Sequence, residues 1–365
     1  MNNGEKITNR AFDRRGDAIE ISTSRIECLD LAKGLCMMLI VLMHVSSTLG
    51  LDLSARLHLE IANQMFFFLA GIVFKKTDSV RIFFRKKVNN LLIPFAFFYL
   101  ITTILLPNIL HLIGYNVRNT DALGIHSLYA FASTPHAVFP NGPIWFLLCL
   151  FVVSVAFYGI CSIADNCEQM TGKKWMNPLI ILVASWGLGL AGYLMGKHDV
   201  DLYLYVDTAA SVMPFYGMGY ILSNYSSIIK NYISAWVLIL LILVGGVLAL
   251  CFTPPICCIA NRYDGSFLLV YMSAFAGIMA AFCLAKLLNN IPSFILYFGR
   301  YSLIILCTHT PIIHFSLLFI NRLPFNDWVH CIIAVVFVLL VECMVIPVMV
   351  RFFPHVTAQK GVFET

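Results

Sequence analysis

Charge is what this sequence has least of. Of its 365 residues, 12% are Asp, Glu, Lys or Arg, while 60% are hydrophobic. A water-soluble globular domain carries about 25% charged residues, so composition alone excludes a soluble fold. Familiar catalytic signatures are missing as well. There is no HExxH, no GxSxG and no P-loop, which removes the corresponding metalloprotease, hydrolase and nucleotide-binding readings. The twelve cysteines form no CxxC pair and several lie inside apolar runs (Cys36, Cys149, Cys283, Cys307, Cys343). They read as small, soft packing residues, not as metal ligands or a disulfide framework. No repeat at a fixed period and no low-complexity tract is visible. The first 24 residues are polar, without an apolar core or small-residue cleavage site. No cleaved signal peptide is therefore expected, and the first span should itself direct insertion.

What is present is a succession of apolar runs near 20 residues, the mark of an all-α polytopic membrane protein. Ten transmembrane helices are expected, at about 29–49, 60–74, 90–113, 144–164, 178–195, 210–223, 232–252, 266–288, 302–321 and 328–351. With both termini cytoplasmic, 19 of the 24 Lys and Arg fall on the inner side and 5 on the outer, as the bias of positive charge toward cytoplasmic loops requires. The expected organisation is a polar cytoplasmic tail over 1–24, a ten-span membrane domain over 25–355 and a cytoplasmic tail over 356–365. The net charge of +5 follows from this asymmetry and from anionic lipid, and gives no reason to invoke nucleic acid.

The first span, "DLAKGLCMMLIVLMH", opens with Asp30 and Lys33 and closes on His44. Lys33 and His44 are eleven residues apart, so on a helix they point within about 20° of each other and are separated by roughly 16 Å along the axis. Asp30 falls on the same broad face. An ionisable group inside a span is costly and is a functional hypothesis by default. Taken singly, His44 also reads as a core imidazole bonded to a neighbouring helix, and Lys33 with Asp30 as an interfacial anchor. Taken together, the three describe a polar track leading inward from the cytoplasmic surface.

Further along, "KKTDSVRIFFRKK" (75–87) is a dense basic loop. It is what the orientation bias produces, and also what would hold a phosphate-rich ligand through Arg81, Arg85, Lys86 and Lys87. His309, in "GRYSLIILCTHTPII", is a second intramembrane histidine that could converge with His44 on one cavity. "PFYGMGY" points to close helix packing at Gly217 and Gly219. The stretch "GKHDVDLYLYVDTA" interleaves Asp199, Asp201 and Asp207 with Tyr203 and Tyr205, which would suit a carbohydrate surface but reads first as an aromatic interfacial loop.

Several of these pieces, in this order, resemble the acyltransferase 3 family of membrane-bound O-acyltransferases. "RIECLDLAKGLCMMLIVLMH" is similar to the family's opening span, in which a basic residue precedes an essential histidine by eleven positions, as Lys33 precedes His44. "MFFFLAGIVF" (65–74) resembles its FFxLSG stretch and "RKKVNNLLIPF" (85–95) its basic loop ending in proline. "PIWFLLCLF" (143–151), with Trp145, resembles its W-F-L span, and "GRYSLIILCTH" (299–309) its late Ser-Leu…His segment. Departures are Ala70 in place of serine, Leu306 in place of tyrosine, Asn63-Gln64 in place of Met-Pro, and Arg85-Lys86-Lys87 in place of paired arginines.

The resemblance implies a multi-pass protein of the cell (inner) membrane that moves an acyl group, acetyl above all, from cytoplasmic acyl-CoA to a hydroxyl of a sugar or glycolipid acceptor. It implies acyl-CoA as co-substrate, with no tightly bound cofactor and no metal. His44 would be the general base, with Asp30, Lys33 and His309 around it. Lys33, Arg81, Arg85, Lys86 and Lys87 would hold the donor phosphates. Asn63, Gln64, Trp145, Tyr301 and Ser302 are candidates for the oxyanion or acceptor site, and a covalent acyl-histidine is an alternative to base catalysis. The rival class is a non-enzymatic transporter or flippase of a glycan or lipid-linked intermediate, which ten spans and buried polar groups would also serve.

Overall fold

The computed structural model describes residues 10–12, 18–20, 23–51, 53, 57, 60–77, 79–105, 134, 136, 141–225, 234–288 and 294–363. Most of the stretch between the expected spans 90–113 and 144–164, the C-terminal part of the span expected at 90–113 and the first residues of that expected at 232–252 lie outside the described residues. An N-terminal hairpin pairs β1 (Arg10–Phe12) with β2 (Ala18–Glu20). Among the described residues the helices that follow are α1 (Thr23–Thr48), α2 (Ile61–Ile72), α3 (Val80–Lys87), α4 (Ile93–Tyr99), α5 (Trp145–Thr171), α6 (Met176–Lys197), α7 (Val206–Tyr225) and α8 (Ala235–Phe252). A two-residue hairpin, β3 (Ile256–Cys257) with β4 (Arg262–Tyr263), precedes α9 (Phe267–Leu287), α10 (Phe294–Arg300), α11 (Ser302–Ile320) and α12 (Asp327–Phe352).

Seven of these helices are long and apolar enough to cross a membrane: α1, α5, α6, α8, α9, α11 and α12. The other three expected spans have a different character. α2 has only 12 residues. The segment after α3 is interrupted by wide π-helical turns at Val88–Leu92 and Leu100–Leu105. The first precedes Pro94, which has no N–H to give the carbonyl one turn back. α7 is rich in polar residues, and Asp207, Thr208 and Ser211 on it are fully buried.

α1 is the central helix. In its most apolar stretch 61% of residues are buried, against 17% for α8, and it touches α2, α9, α10, α11 and α12. Small residues set the closest approaches, as they do where apolar helices meet without a hydrophobic driving force. The close packing expected at Gly217 and Gly219 is present: a Cβ at Gly219 would run into the Phe68 carbonyl of α2, and one at Gly217 into the Ser185 hydroxyl of α6. α1 and α10 meet backbone to backbone over one turn. A Cβ at Gly34 would overlap the Ile295 carbonyl, and one at Gly299 the Asp30 carbonyl.

Two polar clamps close one end of the bundle. Lys76 pairs with Asp165 at 2.8 Å, and Asn177 donates to the same carboxylate at 2.6 Å, so the segment after α2 is tied to α5. The C-terminal segment folds back onto the π-turn after α3. There the Asn89 amide donates to the Phe363 carbonyl (2.8 Å), and its oxygen accepts from the Val362 and Phe363 N–H groups (3.2 and 3.0 Å). Asn89 is buried, so Asn89→Ala removes three hydrogen bonds at once. At about 1 kcal/mol each, the expected result is a tail that carboxypeptidase trims at least tenfold faster than in the unaltered protein, with the transmembrane core intact. Equal trimming of the two proteins would refute the clamp.

Candidate active site

His44 sits one turn before the end of α1, where its carbonyl accepts from the Thr48 hydroxyl at 2.7 Å. His309 is fully buried on α11. The two rings, 265 positions apart in the chain by their numbers, lie with centroids 5.2 Å apart. The second ring has a defined tautomer. His309 Nδ1 is 2.6 Å from the Ile305 carbonyl oxygen, which can only accept, so Nδ1 carries the hydrogen and Nε2 of the neutral ring is an acceptor. That Nε2 is buried with no hydrogen-bond partner.

The wall beside His309 is assembled by a proline. Pro311 lies inside α11 and cannot donate to the Cys307 carbonyl one turn earlier. Asn141 supplies the missing donor, its Nδ2 lying 2.8 Å from that oxygen. The turn Gly142–Ile144 that starts α5 is thereby fixed at the level of the histidines. Its Gly142 and Pro143, with Trp145 and Phe146, form one side of a small, partly open cleft. His44, Glu60, Asn63 and Ile259 contribute to the remaining sides. Asn63 Nδ2 donates to Glu60 Oε2 at 2.7 Å.

Other residues singled out in the sequence are placed elsewhere. Asp30 and Lys33 form an ion pair at 3.5 Å, and Arg300 Nε lies 3.6 Å from the other carboxylate oxygen, where the α1–α10 contact brings it. Between Lys33 and His44, the same face of α1 carries Met37, Ile40 and Val41, all buried. The polar stripe is thus two polar ends joined by an apolar stretch. Gln64 is buried beside the Cys258 thiol, without a hydrogen bond of good geometry, and is not a cleft residue. Tyr301 packs on Tyr297 at 5.0 Å. Ser302 lies two turns from His309, one turn below the cleft residue Leu306.

Arg81 and Lys86 are exposed on α3, and Arg85 is half-buried. The Lys87 ammonium lies over the rings of Phe74 and Phe83 at 5.8 and 5.5 Å, and burial pushes its pKa down to about 8. The loop 196–209 is not an open sugar platform. Tyr205 is buried, stacked on His136 at 5.2 Å and against Trp145 at 5.5 Å. Asp207 is buried and bonded to His136 Nε2 at 2.9 Å. Arg262 takes Asp199 and Asp201, each at 3.0 Å. His136, Asp201 and Asp207 present ligand atoms within 4.8 Å of one another.

Four residues of this region were passed over in the sequence. Glu342 is a lone carboxyl in the apolar run of α12, a signal that was there to be read; it is fully buried and bonded to Thr308 at 2.7 Å, next to His309. Arg300 counted only as one more inner positive charge. Glu60 and Asn141 sit in unremarkable sequence and become significant only through folding.

No curated protein and no solved structure matches the chain. The family model described as an acyltransferase domain matches residues 26–346, nearly the whole chain. A match that runs from the first turn of α1 into the second half of α12, across both histidines and the cleft beside His44, places the protein in the acyltransferase 3 family of membrane acyltransferases.

Proposed function

We propose that the protein transfers an acyl group, acetyl in the first instance, from cytoplasmic acyl-CoA to a hydroxyl of a cell-surface or lipid-linked sugar, with His44 as general base. The observation that carries this reading is the meeting of His44 with His309 at a cleft. If a His44 N–H turns toward the unpartnered Nε2 of His309, its other nitrogen is left as an acceptor facing the cleft. A neutral imidazole with one nitrogen free to accept can abstract a proton from a hydroxyl placed against it. It takes the proton of the acceptor hydroxyl as that oxygen attacks the thioester carbonyl. The tetrahedral intermediate then collapses, the C–S bond breaks, and the departing thiolate recovers the proton from His44. Asn63, with one N–H engaged by Glu60 and a second available, and the Trp145 indole N–H are the cleft donors for the oxyanion.

In this reading ten segments span an inner membrane and both termini are cytoplasmic. That arrangement puts Arg81, Arg85, Lys86, Lys87 and the Asp30–Lys33–Arg300 group on the face where coenzyme A is available. It puts the cleft, built from the chain near residues 60, 142 and 259, on the opposite face, so the thioester arm of the donor has to pass the packed Met37, Ile40 and Val41 to reach His44. Purified protein in nanodiscs should move radiolabel from [14C]acetyl-CoA to a methyl glycoside. Absence of transfer to any glycoside, with acetyl- or succinyl-CoA as donor, would favour the carrier class instead.

His309 acts through His44 as a positioning residue. His309→Ala is expected to lower kcat by the order of 10²-fold, the lower end of what a placed base contributes, with KM for the donor unchanged. It should also displace the acid limb of the pH–rate profile, which loss of packing alone would not do.

A further inference from the structure

The cleft holds one acidic side chain and no lysine or arginine among its described lining residues. That acid, Glu60, is the residue immediately before α2. Its carboxylate is held from two directions: Asn63 donates to Oε2 at 2.7 Å, and the Cys258 backbone N–H of the β3–β4 hairpin faces it. Both partners are donors, which stabilise the ionised carboxylate against the opposing and larger effect of its burial. The carboxylate retains acceptor capacity beyond these two bonds.

Arg262, on the hairpin that carries Ile259, brings no compensating charge. Its guanidinium is already engaged by Asp199 and Asp201. With Asp207 included, this neighbouring cluster holds three carboxylates against one arginine and His136. It is joined to the cleft through the contact of Tyr205 with Trp145.

Resting on the acyl-transfer reading, we infer that Glu60 is an acceptor-binding residue and that it sets the charge class of the acceptor. Its free lone pairs accept hydroxyl hydrogens of a sugar lying over His44. Its charge rejects a sugar bearing a carboxylate or phosphate near the reacting hydroxyl. The acceptor is therefore a sugar that is uncharged around the acylated position.

Two measurements test this, one of them independent of catalysis. Ile259 is a half-buried cleft residue. In Ile259→Cys protein, reaction of that thiol with a cationic methanethiosulfonate (the ethyltrimethylammonium) and an anionic one (the ethylsulfonate) is followed by peptide mass spectrometry. Each rate is divided by that for a free thiol. The cation should be preferred by about tenfold, as one unscreened charge at close range implies. Adding Glu60→Gln should remove the preference, and Glu60→Asp should keep it. A normalised ratio near one with Glu60 intact, or a ratio that Glu60→Gln leaves unchanged, overturns the inference.

The second measurement compares acetyl transfer to methyl 6-O-methyl-β-glucoside and methyl β-glucuronide, neither of which has a free C6 hydroxyl and of which only the second carries a charge. The glucoside should have the higher kcat/KM by about tenfold or more, and Glu60→Gln should narrow the gap while leaving KM for acetyl-CoA as it was. Equal use of both sugars by the unaltered protein overturns the inference while leaving acyl transfer established. Failure of all transfer with the thiol preference intact refutes the enzymatic reading and leaves the charge-selective cleft standing.

Discussion

His44→Ala is expected to abolish acyl transfer, with kcat falling by about 10²–10⁴-fold, the range a positioned general acid–base group contributes. The fold should survive. His44 is only half-buried, beside the cleft, and the loss of an imidazole there leaves no charge unpaired. The Thr48 hydroxyl bonds the backbone carbonyl of residue 44, not its ring, so the end of α1 keeps its geometry. The diagnostic pattern is therefore an inactive protein with an unchanged melting curve in detergent and unchanged affinity for coenzyme A. His44→Gln is the sharper form, because the amide fills part of the space and forms hydrogen bonds without titrating near neutrality. An active His44→Gln enzyme would remove both the general base and the acyl-histidine alternative.

The second large effect is structural. Gly299→Ala should destabilise the protein by about 3 kcal/mol or more, at or above the usual cost of overpacking. The new methyl would overlap the Asp30 carbonyl oxygen, and a helix backbone cannot yield as a flexible side chain can. α10 would have to lift from α1, taking Arg300 away from Asp30. The control is Gly246→Ala in the middle of α8, where a Cβ meets nothing within 4 Å. Alanine has the better helix propensity by up to about 1 kcal/mol, so that variant should be neutral or slightly more stable. Thermal unfolding in a mild detergent compares the two. Equal melting temperatures would contradict the backbone-to-backbone contact of α1 with α10.

Much of the architecture was legible because lipid imposes a simple rule: a spanning segment is apolar and satisfies its own backbone. The seven long apolar helices fall on runs visible by eye. The segments that differ are those where protein, not lipid, is the solvent. α7 tolerates Asp207 and Ser211 because its neighbours bury them, and the stretch around Pro94 departs from α geometry for a local backbone reason.

At the site, His44 and His309 were readable as costly intramembrane imidazoles, whereas their proximity depends on helix packing that periodicity does not encode. Asp30 and Lys33 illustrate the opposite limit. Periodicity placed them on the face of His44, yet the structure gives Asp30 a partner on another helix, Arg300, and fills the interval with Met37 and Ile40. Glu60 and Asn141 had no signal in sequence, since each acts through a partner distant in the chain or through a cleft that only folding creates.

The proline in α11 has a mechanical consequence. Because Asn141 completes the backbone ladder that Pro311 interrupts, the start of α5 and the helix carrying His309 behave as a single rigid jaw. The opposing side is held as closely, because the Phe68 carbonyl of α2 lies directly against Gly219 of α7, so both walls of the cleft are anchored by backbone.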